Sequence, residues 1–184
     1  NGGGGMLVAC STLSAANWGA VVRCESDPKY GSMLVNNLLI QERGQKAVDM
    51  PIPKWDTALK SFGGNVLIGT VNGNGRFVSS NDQTIAKADA SALELSWDEA
   101  SMKYLWNGTT SFAKLSEADV RAAIKSCSNT RNGKVMAGDK EVYDFAKIGE
   151  DFFGWLDSIG AFDKDGYGNQ RGTSNWWPGS YQGN

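Results

Sequence analysis

The residues best placed to hold a metal lie near the C-terminus, in "FDKDGYGNQRG" (162–172). Asp163 and Asp165 stand two apart and precede two glycines, as at the start of a calcium loop. In EF-hand register Asp163 would take position 1, Asp165 position 3 and Gly168 the glycine at position 6. Tyr167 then falls at position 5, the cation Arg171 at position 9, and Ser174 at position 12, where a bidentate glutamate is needed. Asp163 and Asp165 are thus the calcium candidates, but the expected role of the loop is a turn, for which Asp and Gly are the ordinary residues. No metal and no cofactor is expected.

Other chemistry is limited by what is missing. The chain of 184 residues contains no histidine, which removes Ser-His-Asp and Cys-His catalysis in their usual forms and the commonest transition-metal ligand. Cys10, Cys24 and Cys127 form no CxxC pair, so a zinc site is not expected. Cys10 and Cys24 could bridge only if the chain doubles back between them. Cys127 falls on an apolar helix face, where an inert thiol is the expected reading. "NGGGG" and "GTVNGNG" lack both the GxGxxG order and the lysine of a phosphate loop. Adjacent carboxylates (Asp98 with Glu99, Glu150 with Asp151) would diverge on a helix. No catalytic residue is assigned.

Hydrophobic residues make up 41% and charged residues 21%, with a net charge of −2. That balance is globular and gives no basic field for nucleic acid. Residues 1–22 carry no charge, yet Ser11, Thr12, Ser14 and Asn17 make them too polar for a membrane span. No membrane-crossing segment is expected, which leaves peripheral association open. The chain opens on Asn1 instead of Met, which reads as a processed product, and "NGTT" at Asn107 is a glycosylation sequon. With few charges and many Gly, Asn and Trp, the composition leans to a secreted or organelle-lumen, extracytoplasmic setting.

Helical signals dominate the element pattern. Asp27-Pro28 starts and Gly44 stops a segment in which Met33, Leu34, Val35, Leu38, Leu39 and Ile40 are apolar all round, the mark of a buried helix. Pro53 and Gly63-Gly64 bound a short helix. "NVLIGTV" and "GRFVSS" flank "NGN" and predict a β-hairpin near 65–80. Ser96 with Glu99, and Ser116 with Asp119, look like capping boxes. The second precedes a face of Val120, Ala123, Ile124 and Cys127. Phe145, Ile148, Phe152, Leu156 and Ile159 predict a helix over 139–159. No repeat period is visible.

The expected fold is therefore mainly α with one small β-hairpin (α+β). About five helices form a single domain over 1–162, and an extended Gly/aromatic C-terminal arm spans 163–184. Large aromatics in such an arm must dock on something. Trp176, Trp177 and Tyr181, with Tyr167 and Trp18, are the expected partner-binding residues, unless the arm folds back over the chain's own core. The leading function is a non-enzymatic structural or accessory subunit of a larger protein complex, docking through the apolar N-terminal segment and the aromatic arm. The alternative is a secreted or lumenal carbohydrate- or ligand-binding module. A carboxylate-dependent enzyme comes third.

Overall fold

The computed structural model of the chain describes residues 7–16, 19–23, 32–50, 59–61, 63–72, 81–87, 95–106, 112–129, 134–137, 140–144 and 154–180. They form a parallel β-solenoid, not a helical bundle. Three short strands make one coil, β1 (Leu7–Ala9), β2 (Thr12–Ala15) and β3 (Ala20–Arg23). The next coil repeats them as β4 (Ser32–Val35), β5 (Leu38–Gln41) and β6 (Lys46–Asp49), and the third as β7 (Leu59–Ser61), β8 (Val66–Ile68) and β9 (Thr70–Asn72). A fourth coil contributes β10 (Gln83–Ile85). Like strands stack in parallel into three sheets, β1-β4-β7, β2-β5-β8-β10 and β3-β6-β9.

Register explains the stacking. Val8 pairs with Leu34; Leu13 pairs with Leu39 and Leu39 with Leu67; Val22 pairs with Val48 and Val48 with Val71. These aliphatic columns meet inside the coil as one buried cluster, joined by Ala47 and Met50. Each strand must also alternate faces, and here the outward residues of the first two sheets are apolar too. Leu38, Ile40, Val66 and Ile68 form a second cluster with Phe112 and Trp177, whereas Val35 joins Leu115, Val120, Phe162 and Trp176 in a third. Burial on both faces gives continuous apolar runs, the habit of parallel strands.

That habit corrects the helix expected over 27–44. "MLVNNLLI" is apolar all round because β4 and β5 are covered inside and out, not because a helix is buried. Its leucines favour helix by propensity, but pairing on both edges overrides that preference. The hairpin near 65–80 is corrected as well: β8 and β9 exist, but each pairs in parallel with the previous coil. They are joined through Gly69, whose φ of 131° excludes other residues. A Cβ there would lie 2.6 Å from the Gln45 carbonyl oxygen. The short helix expected between Pro53 and Gly63-Gly64 is overturned where it is described, since residues 59–61 form β7, paired in parallel with β4; residues 51–58, residues 73–80 and the start at Asp27-Pro28 lie outside the described residues.

Ser96 and Glu99 start no helix either. β11 (Leu95–Asp98) and β12 (Lys103–Trp106) form an antiparallel hairpin, its turn closed by Asp98, which accepts from the Ala100 amide at 3.3 Å and from the Ser101 hydroxyl. The other start is real. The Ser116 hydroxyl accepts from the Asp119 amide (3.1 Å) and the Asp119 carboxylate accepts from the Ser116 amide (3.0 Å), opening α1 (Glu117–Asn129). Val120 points into the third cluster and Ala123 packs beside it. The helix expected over 139–159 is replaced at its start by the hairpin β13 (Lys134–Ala137) and β14 (Lys140–Asp144). A single short helical turn spans 154–158, and residues 145–153 lie outside the described set. Among the described residues strands outweigh helix, so the mainly α class and the word helical do not hold. No helix among them is long and apolar enough to cross a membrane.

At the corner between the first two sheets a polar ladder runs down the solenoid. The Ser11 amide donates to Asn37 Oδ1 (3.0 Å), the Asn37 amide to Asn65 Oδ1 (3.0 Å), and the Asn65 amide to Asp82 Oδ1 (2.9 Å). The residue before each rung turns the chain: Cys10, Asn36 and Gly64 have φ of 50°, 54° and 70°. Such corners would strand buried amides, and the ladder satisfies them from within.

Candidate functional site

The C-terminal segment belongs to the core. Trp176 is 1% and Trp177 4% exposed. Trp176 exchanges backbone hydrogen bonds with Leu115, its amide donating to the Leu115 carbonyl at 2.7 Å. Trp177 meets Phe112 edge-on at 5.2 Å over the outer face of β5 and β8. The Asn36 side chain donates to the Trp177 carbonyl (3.0 Å), Gly179 donates to the Asn36 carbonyl (2.9 Å), and the Ser180 amide donates to Thr12 Oγ1 (3.1 Å). Two of the five residues expected to dock on a partner thus pack on their own chain. Tyr167 is half-buried, its amide held by Asp165 at 2.8 Å. Trp18 and Tyr181 lie outside the described residues.

The aspartate loop works as a turn. Asp165 is buried, and its Oδ1 accepts the amides of Tyr167 and Asn169 at 2.8 Å each while Oδ2 accepts Asn169 Nδ2 at 2.9 Å. Asp163 is exposed, with Oδ2 beside Gly160. The two carboxylates are not brought together on a common centre. Arg171 is buried over the Trp176 ring (4.7 Å) and donates to the Lys164 carbonyl at 3.3 Å. Cys10 is a free thiol, and Cys24 lies outside the described residues. Burial raises its pKa, outweighing nearby Arg171 and the hydrogen bond from Asn36.

Two groupings of polar side chains stand on the solenoid's outer surface. On the third sheet Arg23, Asp49 and Asn72 occupy one register row. Asp49 receives Asn72 Nδ2 at 2.6 Å, Lys46 at 3.1 Å and Arg23 at 3.5 Å. Burial opposes its ionisation, but these donors outweigh it and hold the carboxyl below the ordinary range. Asp49 itself is buried and satisfied.

The second grouping is open. The hairpin β11–β12 sets Trp97 directly opposite Tyr104, ring centroids 4.9 Å apart. Trp97 is 46% exposed, and Met102 at the hairpin turn is exposed as well. The Tyr104 hydroxyl reaches back to the solenoid and donates to Glu42 Oε1. Ser14 donates to the same oxygen at 2.9 Å, and Lys87 pairs with Glu42 Oε2 at 3.1 Å. Ser14 and Glu42 come from adjacent coils, and Lys87 follows β10. An exposed aromatic face thus adjoins a carboxylate, an ammonium and two hydroxyls on a rigid frame. Such a set can stack a flat apolar surface and exchange hydrogen bonds with a polyhydroxylated ligand.

Trp97 and Tyr104 escaped the sequence reading because "SWDEASMKYLW" resembles a capped helix, and Ser14, Glu42 and Lys87 because they come from distant parts of the chain. The available signal was strand alternation: Trp97 and Tyr104 stand opposite each other across the turn that Asp98 closes. No family model, no curated protein and no solved structure matches the chain.

Proposed function

We propose that the chain is a non-enzymatic carbohydrate-binding module in which a pyranose ring stacks on Trp97. The carrying observation is the exposed indole braced on Tyr104, whose hydroxyl is anchored to Glu42. A sugar presents C–H groups on its faces, which suit the electron-rich face of an indole, and hydroxyls at its edge, which suit Glu42, Lys87 and Ser14. Rigid support matters because side chains already fixed in place lose little entropy on binding. Tyr104 is held through Glu42, to which Ser14 of the preceding coil also donates. An extracytoplasmic setting, where polysaccharides are met, accords with this reading.

The test is a tryptophan-fluorescence titration of the purified chain against soluble neutral and acidic polysaccharides. The reading expects a saturable change with at least one pyranose polymer. A flat response to every polymer would overturn it.

Two supports of the subunit reading, the apolar residues of 34–40 and Trp176 with Trp177, are consumed inside the chain.

A further inference from the structure

At the edge of the Trp97 platform the carboxylate is fully occupied and the ammonium is not. Glu42 Oε1 accepts from the Tyr104 and Ser14 hydroxyls, and Oε2 accepts from Lys87 at 3.1 Å. An ammonium carries three donors, and Lys87 gives one of them to Glu42. The Lys87 side chain is also the more open of the two, 38% exposed against 28%. A ligand beside the indole therefore meets N–H donors bearing positive charge, with hydroxyl oxygens behind them, and not free carboxylate lone pairs.

The stacking of coils gathers cations at this corner. Glu42 lies in the turn between β5 and β6, where Arg43 follows it and is exposed. Gly44 continues the turn with a φ of 68°, and Lys87 lies against it, since a Cβ on Gly44 would stand 3.3 Å from Lys87 Cβ. Arg43 and Lys87 thus accompany a single acid. On the adjoining third sheet Arg23 and Lys46 likewise share the single acid Asp49. The described residues of this corner and sheet are locally cationic, although the whole chain has a net charge of −2. Asp98 does not reverse this: it falls on the opposite face of β11 from Trp97 and is taken up by Ala100 and Ser101. Glu99 lies in the hairpin turn.

We infer that the ligand of the platform is an anionic pyranose polymer, with a sugar ring on Trp97 and a carboxylate or sulfate group on Lys87. The inference rests on the carbohydrate reading and narrows it. Glu42 separates Lys87 from the Tyr104 hydroxyl, so a polymer with charge repeated along it meets both the indole and the ammonium at once. A hydrogen bond from an ammonium to an anion is stronger than one to a neutral hydroxyl. Glu42 already holds that ammonium in place, which reduces the freedom lost when the anion arrives.

The test is calorimetric titration, with a chelator present, of two matched pairs: polygalacturonate with its methyl ester, and dextran sulfate with dextran. Within each pair the ring is kept and the charge removed. At least one anionic member should bind the unaltered chain more tightly than its neutral counterpart, by roughly three- to five-fold or more, the scale of a partly exposed ion pair. The pair that shows the preference tells carboxylate from sulfate. In Lys87→Gln the two members of that pair should bind alike, and in the unaltered chain the preference should fade when salt shortens the Debye length to about 3 Å. The salt series needs no variant, so it decides the matter if Lys87→Gln does not fold. Equal affinity within both pairs, or a preference that outlasts Lys87→Gln or high salt, would overturn the inference; the platform reading would still stand if Trp97→Ala weakened the neutral members. An anionic polymer bound as tightly by Trp97→Ala as by the unaltered chain sits elsewhere, which would overturn it too. If none of the four polymers binds, the inference fails whatever other polymer does.

Discussion

Asn37 and Asn65, one coil apart, are joined by two hydrogen bonds to a single oxygen. Asn65 Oδ1 accepts the Asn37 backbone amide at 3.0 Å and Asn37 Nδ2 at 2.9 Å. Both residues are buried, so neither bond can be replaced by bulk water. The pair fixes the register between the second and third coils at the corner where Asn36 and Gly64 turn the chain, and the columns behind it share that register.

Asn65→Ala should therefore destabilise the whole solenoid, not a local loop. It strands the buried Asn37 amide and removes the Asn65 bonds to Ser61 (3.0 Å) and Asp82 (2.9 Å). The expected loss is about 1–3 kcal/mol for each group left unpaired. Urea unfolding would show it as a lower midpoint in one cooperative transition.

Trp176→Ala and Trp177→Ala should each cost about 3–5 kcal/mol, the range for truncating a buried aromatic. Trp177 covers Leu38, Ile40, Val66 and Ile68, so its loss exposes the outer face of the second sheet. Thermal melts that dropped little for both would show that the segment is detachable after all.

Asp49 should make stability sensitive to acid. Its folded pKa is below the ordinary 3.8, burial being outweighed by Asn72, Lys46 and Arg23. Its contribution is thus complete above the unfolded value and lost as pH falls through the lower folded value. Asp49→Asn should reduce stability at neutral pH, and the difference from the unaltered chain should shrink in strong acid. Melting temperatures of both proteins between neutral pH and about 2 units below the unfolded carboxylate value would reveal the convergence.

Calcium should leave the melting temperature unchanged. Asp165 already accepts three donors within its own turn, and Asp163 faces solvent apart from it. Asp165→Ala should instead lower stability by roughly 1–3 kcal/mol whether or not a chelator is present, by stranding the Tyr167 and Asn169 amides. A calcium-dependent rise in the melt of the unaltered chain would contradict this.

Local chemistry was more legible in the sequence than architecture. The Ser116–Asp119 start was readable because a cap is decided within four residues, and the faults of the calcium register are visible in Tyr167 and Arg171 themselves. The solenoid was not readable, because its repeat is uneven. The ladder rungs Ser11, Asn37, Asn65 and Asp82 are separated by 26, 28 and 17 residues. Corners of different length hide a period that three strands per coil keep in space. "LVACSTLSA" and "MLVNNLLIQ" match at Leu7, Val8, Ala9 and Leu13 and in Ser11 with Asn37, but Thr12 and Ser14 stand where Leu38 and Ile40 do, so the pattern looks like chance. The Trp97 platform was hidden for a related reason: its members Ser14, Glu42, Lys87, Trp97 and Tyr104 are assembled by stacking and hairpin pairing, neither of which is local.

The most direct test of the central claim is calorimetric titration of a pyranose polysaccharide into three proteins: the unaltered chain, Trp97→Ala and Trp155→Ala. Trp155 is an exposed tryptophan on the short helical turn at 154–158, outside the platform. The account predicts saturable binding to the unaltered chain, an affinity reduced at least ~ten-fold, about 1.4 kcal/mol, in Trp97→Ala, and no change in Trp155→Ala. Binding that survives Trp97→Ala undiminished, or that falls equally in both variants, would contradict it.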